Sequence, residues 1–174
     1  MATPSAKILV LAGKDFACVK IAGRANFTYG PDFKTLLTEL AQSGYSHFII
    51  DLSECALMDS TFLGILAGFG LKLNQGAAPN KHGVELLNPN SRITDLLDNL
   101  GALQLFKVTS GTLQLPADVQ TQTPDSVNPT REEITRTCLE AHQSLMAVNP
   151  DNVAHFKDVT RFLAEDLKRP ENSP

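Results

Sequence analysis

The sequence predicts an α/β domain, a layered fold with a mixed and largely parallel sheet, followed by a C-terminal helical hairpin. Short apolar runs alternate with helical periodicities, then a stretch rich in threonine, proline and glutamine follows, and two amphipathic patterns come last. Strands that alternate with helices of about a dozen residues imply crossover connections and parallel pairing. We therefore divide the chain into an α/β domain (1–110), a linker (111–129), a helical hairpin (130–168) and a disordered tail (169–174).

The first half of the α/β domain is predicted to hold two strands, a helix and a central strand. The runs KILVLAG and DFACVKIAG predict a strand hairpin that turns at Gly13-Lys14. A helix that Gly44 ends is predicted next, because apolar residues recur at helical spacing: Phe33, Leu36, Leu37 and Leu40. The unbroken apolar run HFIIDL (47–52) then predicts the central strand, covered on both faces.

The second half repeats this alternation. The segment LMDSTFLGILAGFG (57–70) predicts a helix that begins near Ser60, and GVELLN (83–88) predicts a strand. A helix that Asn90 or Ser91 caps follows, with the last strand predicted at LQLFKV (103–108).

Beyond the linker, two helices are predicted to form the hairpin. Thr130 and Glu133 have the spacing of a capping box. Apolar residues then recur on one helical face: Ile134, Cys138, Ala141 and Leu145. A second helix starts after Asn149-Pro150, with an apolar stripe of Phe156, Val159, Leu163 and Leu167. These faces must pack on each other and on a further surface, which is the α/β domain, a second copy or a partner protein.

Composition excludes several classes of function. The chain has 174 residues, 43% of them apolar, which is enough for a core, and its formal net charge of −4 argues against nucleic acid as a partner. Three distant cysteines form neither a disulfide framework nor a zinc site, and the four histidines are scattered. We expect no metal and no cofactor. Without a signal peptide pattern or an apolar run of about 20 residues, we expect a cytoplasmic protein that does not insert into membranes.

The most informative stretch places Asp59, Ser60 and Thr61 at the start of an apolar helix. Free N–H groups and the positive end of the helix dipole favour negative charge there. A serine at this position could simply cap the helix, which would leave Asp59 unexplained, or it could accept a phosphate. Gly64 and Gly68 lie on one face, and we expect them to let the helix approach the sheet.

These residues resemble the signature of STAS domains, the bacterial anti-sigma factor antagonists. That signature is an apolar strand ending in Asp-Leu-Ser, a short turn, and Met-Asp-Ser-Ser/Thr-Gly-Leu-Gly at a helix start. Here it reads IIDLSECALMDSTFLGILAG (49–68), and GVELLNPNSRITDLLDNLGALQLFKV (83–108) is similar to the end of the family's domain. The resemblance covers about residues 7–110.

The resemblance implies a regulator that switches partners and is not an enzyme. It implies that Ser60 is the phosphoacceptor of an anti-sigma factor, which is also a serine kinase of the histidine-kinase-like ATPase type. A serine phosphatase would reverse the modification. The unmodified domain would bind the kinase and free the sigma factor. The phosphorylated domain would dissociate from the kinase. Asp59, Thr61 and Asn26 are the expected neighbours of the phosphate.

We expect the partner to contact Met58, Phe62 and Leu63 at the start of the helix. Two residues depart from the family pattern, since Phe62 stands where glycine is usual and Asn26 stands where an aspartate is usual. Phe62 is expected to place its ring on the docking face. The C-terminal hairpin is a third departure, and it suggests a dedicated partner or a homodimer formed through the hairpin.

Two alternatives stay open at the level of sequence. One is a STAS scaffold without phosphorylation, such as a subunit that docks on a transport ATPase or permease, or a ligand-sensing module. The other is a hydrolase with Ser60 as its nucleophile, which would need a base and a Gly-x-Ser-x-Gly turn. The sequence shows neither feature near Ser60.

Overall fold

The computed structural model of the chain describes residues 6–75, 83–115 and 119–169. Six strands form one sheet: β1 (Lys7–Ala12), β2 (Ala17–Ala25), β3 (Phe48–Met58), β4 (Val84–Leu87), β5 (Lys107–Thr109) and β6 (Gln120–Gln122). Their order across the sheet is β5-β4-β3-β2-β1-β6. β1 pairs antiparallel with β2 and β6, whereas β2, β3, β4 and β5 run parallel. This arrangement confirms the predicted mixed, largely parallel sheet with β3 inside it.

Within the described residues, five α-helices complete the fold: α1 (Gly30–Gln42), α2 (Ser60–Asn74), α3 (Ser91–Asn99), α4 (Arg131–Val148) and α5 (Asn152–Leu167). Two predicted caps are present, because the Asn90 side chain accepts a hydrogen bond from the Ile93 N–H and Thr130 accepts one from the Glu133 N–H. The predicted last strand is shorter than expected, since Leu103–Leu105 form a 3-10 turn before β5.

The segment predicted as a linker contains β6 and an anchor to α1. β6 pairs with β1 through Val10, Leu11 and Ala12. Farther along, the Asp32 carboxylate accepts hydrogen bonds from the Ser126 hydroxyl at 2.9 Å and the Val127 N–H at 2.8 Å. The exposed polar residues of β6 pair through backbone groups, and the anchor depends on one carboxylate, so no apolar pattern in the sequence predicts either contact.

The main core lies between the sheet and the helices, and a smaller cluster lies on the other face of the sheet. Cys18, Ile49 and Leu87 form a small cluster apart from the main core, and Leu113 and Phe16 pack against it. Residues of strands and loops therefore cover this second face of the sheet.

The C-terminal helices fold back onto the α/β domain, with α4 against α2. Ala141 and Leu145 of α4 belong to the main core cluster. A Cβ atom at Gly64 would lie 2.3 Å from the Ala141 backbone oxygen, and one at Gly68 would lie 2.8 Å from the Ser144 hydroxyl. The expectation that these glycines face the sheet is therefore wrong, because they admit α4.

Helix α5 packs mainly on α4 and leaves one side open. Phe156 packs against the core, while Val159 and Phe162 are 40% and 62% exposed. The predicted stripe is thus partly wrong, since Val159 faces outward. Of the predicted disordered tail (169–174), residues 170–174 lie outside the described residues. Within the described part of the chain, no helix combines the length and apolar character that crossing a membrane needs.

Candidate functional site

The connection from β3 to α2 is built around Asp59. Asp59 has an extended backbone and caps α2, because one carboxylate oxygen accepts the Phe62 N–H at 2.9 Å. The other oxygen accepts the Phe27 N–H at 2.6 Å. Asp59 therefore fixes the start of α2 and ties it to the turn that precedes α1. This capping role explains the aspartate that a serine cap would have left unexplained.

Ser60 is the first residue of α2 and is partly exposed. Its hydroxyl oxygen lies 2.9 Å from Nε2 of His142, a side chain of α4 that is only 5% exposed. Nδ1 of the same ring lies 2.7 Å from the backbone oxygen of Cys138. A carbonyl oxygen only accepts hydrogen bonds, so Nδ1 donates to it and Nε2 keeps a lone pair that accepts the Ser60 O–H.

His142 is the site residue that sequence reasoning missed. Histidines scattered along a chain are more often surface or satisfied residues, and His142 lies 82 residues from Ser60. The one available signal is its place beside Ala141 on the apolar side of the predicted helix. Only the packing of α4 on α2 brings the two side chains together.

Four predicted site residues are core residues, which corrects their expected roles. Met58, Phe62 and Leu63 are at most 2% exposed, so they offer no docking surface in this structure. The Phe62 ring stacks on Phe33 with 4.3 Å between ring centroids. Thr61 is also buried, which places its hydroxyl out of reach of a phosphate donor. These side chains turn inward because α4 and α1 cover most of the first two turns of α2.

Asn26 stabilises the turn that precedes α1. Its side-chain oxygen accepts hydrogen bonds from the N–H and the hydroxyl of Thr28, and it caps the 3-10 turn Phe27–Tyr29. The Ser60 turn is linked to this region through Asp59 and the Phe27 N–H instead. Asn26 thus supports the site from a distance.

All three cysteines are buried free thiols. Burial raises the pKa of Cys18 to about 12 and that of Cys55 to about 11. Burial also raises the pKa of Cys138, to which the negative charge of Asp59 contributes. Cys138 accordingly stays a neutral thiol next to the Ser60 site.

Among the described residues, which leave out His82, no three His, Cys, Asp or Glu side chains are grouped so as to hold a metal ion. The site therefore consists of a capping carboxylate, a helix-terminal hydroxyl and a buried imidazole. It can accept a group on the hydroxyl and a proton on the imidazole.

Together, the fold and the site define a class: an α/β domain that presents a serine at a helix start, directly after a capping aspartate. The STAS domain model matches residues 8–114, and the chain belongs to this family. The match ends before α4, so His142 lies outside the part of the chain that the family model covers.

Named relatives share the matched part. The anti-sigma-B factor antagonist of Staphylococcus epidermidis is 32% identical over 98 residues, which are 56% of this chain and 87% of that protein. That of Staphylococcus aureus (strain NCTC 8325 / PS 47) is 31% identical over 94 residues, covering 54% of this chain and 83% of that one. Among solved structures, an anti-sigma factor antagonist from Mycobacterium paratuberculosis has a TM-score of 0.50 at 17% identity, over 60% of this chain and 86% of that one. At this identity, the structural likeness concerns the fold alone.

Proposed function

We propose that the protein is a cytoplasmic anti-sigma factor antagonist, a regulator without enzymatic activity, and that phosphorylation of Ser60 makes it change partners. The names of its relatives support the general function. The observation that carries the phosphorylation proposal is the position of Ser60, a partly exposed residue that is the first of α2. The partner is an anti-sigma factor that is also a serine kinase of the histidine-kinase-like ATPase type. A serine phosphatase removes the phosphate from Ser60.

The expected effect of the phosphate is local. Phosphorylation adds about 1.5 to 2 negative charges and three acceptor oxygens. The start of α2 favours this charge by up to about 1 kcal/mol, while Asp59 opposes it. In a contact surface, the same charge repels acidic partner groups and leaves oxygens in need of donors. Weakening the complex a thousandfold requires only about 4 kcal/mol.

We place the partner surface at the exposed turn beside Ser60 instead of at the buried first turn of α2. Phe27 is 48% exposed, and its N–H is bound to the Asp59 carboxylate. An exposed aromatic ring fixed next to the phosphoacceptor is suited to anchor a partner. We expect Phe27→Ala to weaken kinase binding tenfold or more, which is a loss of at least about 1.4 kcal/mol, without changing the fold.

A homodimer through the hairpin would use the outer side of α5, because α4 is already buried against α2. Val159 and Phe162 are the exposed apolar residues of that side. Sedimentation velocity of the wild type and of Phe162→Ser tests this: a dimer that the substitution abolishes supports it, and a wild-type monomer at high concentration contradicts it.

The proposal is tested by mass spectrometry after incubation with ATP and a histidine-kinase-like ATPase from the same genome. We expect one phosphate on Ser60, none in Ser60→Ala, and removal by the cognate serine phosphatase. Ser53→Ala is the matched control, because Ser53 is an exposed serine on β3. No phosphate on Ser60 together with stable co-purification of a transport component supports the unphosphorylated scaffold instead. Ester hydrolysis that Ser60→Ala abolishes would support a hydrolase.

A further inference from the structure

We infer that His142 is the base that takes up the Ser60 proton when a phosphoryl group is transferred to Ser60. This inference rests on the proposed phosphorylation of Ser60 and adds a residue from the C-terminal helices to the reaction. A base that contacts the attacking oxygen raises its nucleophilicity during the transfer.

A direct hydrogen bond joins Ser60 to His142. The Ser60 oxygen and His142 Nε2 are 2.9 Å apart, within the range in which a proton passes directly. The bond from Nδ1 to the Cys138 oxygen sets the tautomer in which Nε2 is the acceptor. The pair therefore has the geometry of a serine nucleophile and its base, with a backbone carbonyl as the group that orients the base.

The His142 imidazole is held in place before any reaction. It is almost fully buried, and its ring meets the edge of Phe156 at a centroid distance of 5.0 Å and an interplanar angle of 68°. A base that needs no reorientation loses little entropy during proton transfer. The contact with Phe156 of α5 thus helps to fix the ring.

The charged and titratable groups around the ring are few. Asp59 lies at the start of α2, Cys138 lies one turn earlier on α4, and α5 contributes His155 beyond the Phe156 ring. The Asp59 carboxylate already accepts two backbone N–H groups, so it does not compete for the imidazole.

Phosphoryl transfer to Ser60 forms one bond to phosphorus and breaks another. The Ser60 oxygen forms a bond to the γ-phosphorus of the ATP that the partner kinase supplies, and the bond from that phosphorus to the β–γ bridging oxygen breaks. ADP leaves with the bond's electron pair, and the hydroxyl proton passes to Nε2 of His142. The N–H groups of Ser60 and Thr61 have no partner within the helix, because they belong to its first turn. They are positioned to bind phosphoryl oxygens.

The test uses diisopropyl fluorophosphate and the full chain, without a kinase. In this reaction the Ser60 oxygen bonds to phosphorus, fluoride leaves, and the same proton goes to His142. We expect label on Ser60 and none in Ser60→Ala. His142→Gln can still accept a hydrogen bond but cannot act as a base, and we expect it to slow labelling about 100-fold or more. The matched control is His155→Gln, which removes an exposed histidine of α5 and should label like the wild type.

A second readout does not depend on any substitution. A protonated imidazole cannot accept the hydroxyl proton, so labelling of the wild type should fall when the solution is acidified. A wild type that stays unlabelled, a folded His142→Gln that labels at the wild-type rate, or a flat pH profile overturns the inference. Labelling that depends on His142 in a chain that no kinase phosphorylates would overturn the proposed function alone.

Discussion

The position of a Cβ atom at Gly64 lies 2.3 Å from the backbone oxygen of Ala141, closer than two such atoms can approach. Helices α2 and α4 are therefore in contact through backbone atoms at this point. The close approach places Cys138 and His142 over the start of α2. Gly64 thus permits the helix packing that brings Ser60 and His142 together.

We predict that Gly64→Ala destabilises the protein by about 1 to 3 kcal/mol, because the added methyl group pushes α4 away. Gly68→Ala is the matched control, since its Cβ would meet the side-chain hydroxyl of Ser144, which can rotate. Both changes also gain about 1 kcal/mol of helix propensity. At Gly68 this gain offsets the smaller steric cost, so Gly68→Ala should be close to neutral. Urea unfolding measures both, and a Gly64→Ala protein as stable as the wild type would refute the prediction.

We predict that Asp59→Ala costs about 2 kcal/mol of unfolding free energy. The substitution removes the cap of α2, worth about 1 kcal/mol, and leaves the Phe27 N–H without its acceptor. Thr130→Ala, which removes only the cap of α4, should cost about 1 kcal/mol. Equal losses in the two variants would show that the bond to Phe27 contributes nothing measurable.

We predict that Asn152→Ala loosens the C-terminal helices. The buried Asn152 amide donates to the backbone oxygens of Leu100 at 2.8 Å and Leu145 at 2.7 Å, which joins α5 to the end of α3 and to α4. Losing two such bonds should cost about 2 kcal/mol. Hydrogen exchange should then speed up in α4 and α5 more than in β3. Asp151→Ala, an exposed neighbour whose side chain makes no cap bond, should change neither quantity.

We predict that stability falls as pH rises above about 9. Burial raises the pKa of Cys18 to about 12 and that of Cys55 to about 11 in the folded protein, above the 9.0 of an ordinary cysteine thiol. Between these values the unfolded chain has lost thiol protons that the folded protein keeps, so alkali favours unfolding. The urea midpoint at pH 10 should therefore lie below that at pH 8. If the double variant Cys18→Ala, Cys55→Ala shows the same drop, these two thiols are not its cause.

Much of the fold could be predicted from local patterns. The β3 run, the apolar spacing of α1 and the caps at Asn90 and Thr130 are properties of neighbouring residues, and the structure confirms them. β6 could not be predicted in this way, because its three residues are exposed and polar and pair only through backbone groups. The inward direction of Phe62 was also missed, since the ring has its stacking partner on a different helix.

The sequence by itself determined the order of the elements apart from β6, the start of α2 near Ser60 and the resemblance to the STAS family, because these depend on short-range periodicity and on residues that follow one another. Only the tertiary structure decided that His142 lies against Ser60 and that Gly64 faces α4. The physical reason is that contacts between distant segments depend on how whole helices pack, and an apolar stripe specifies that a helix is buried without specifying against what.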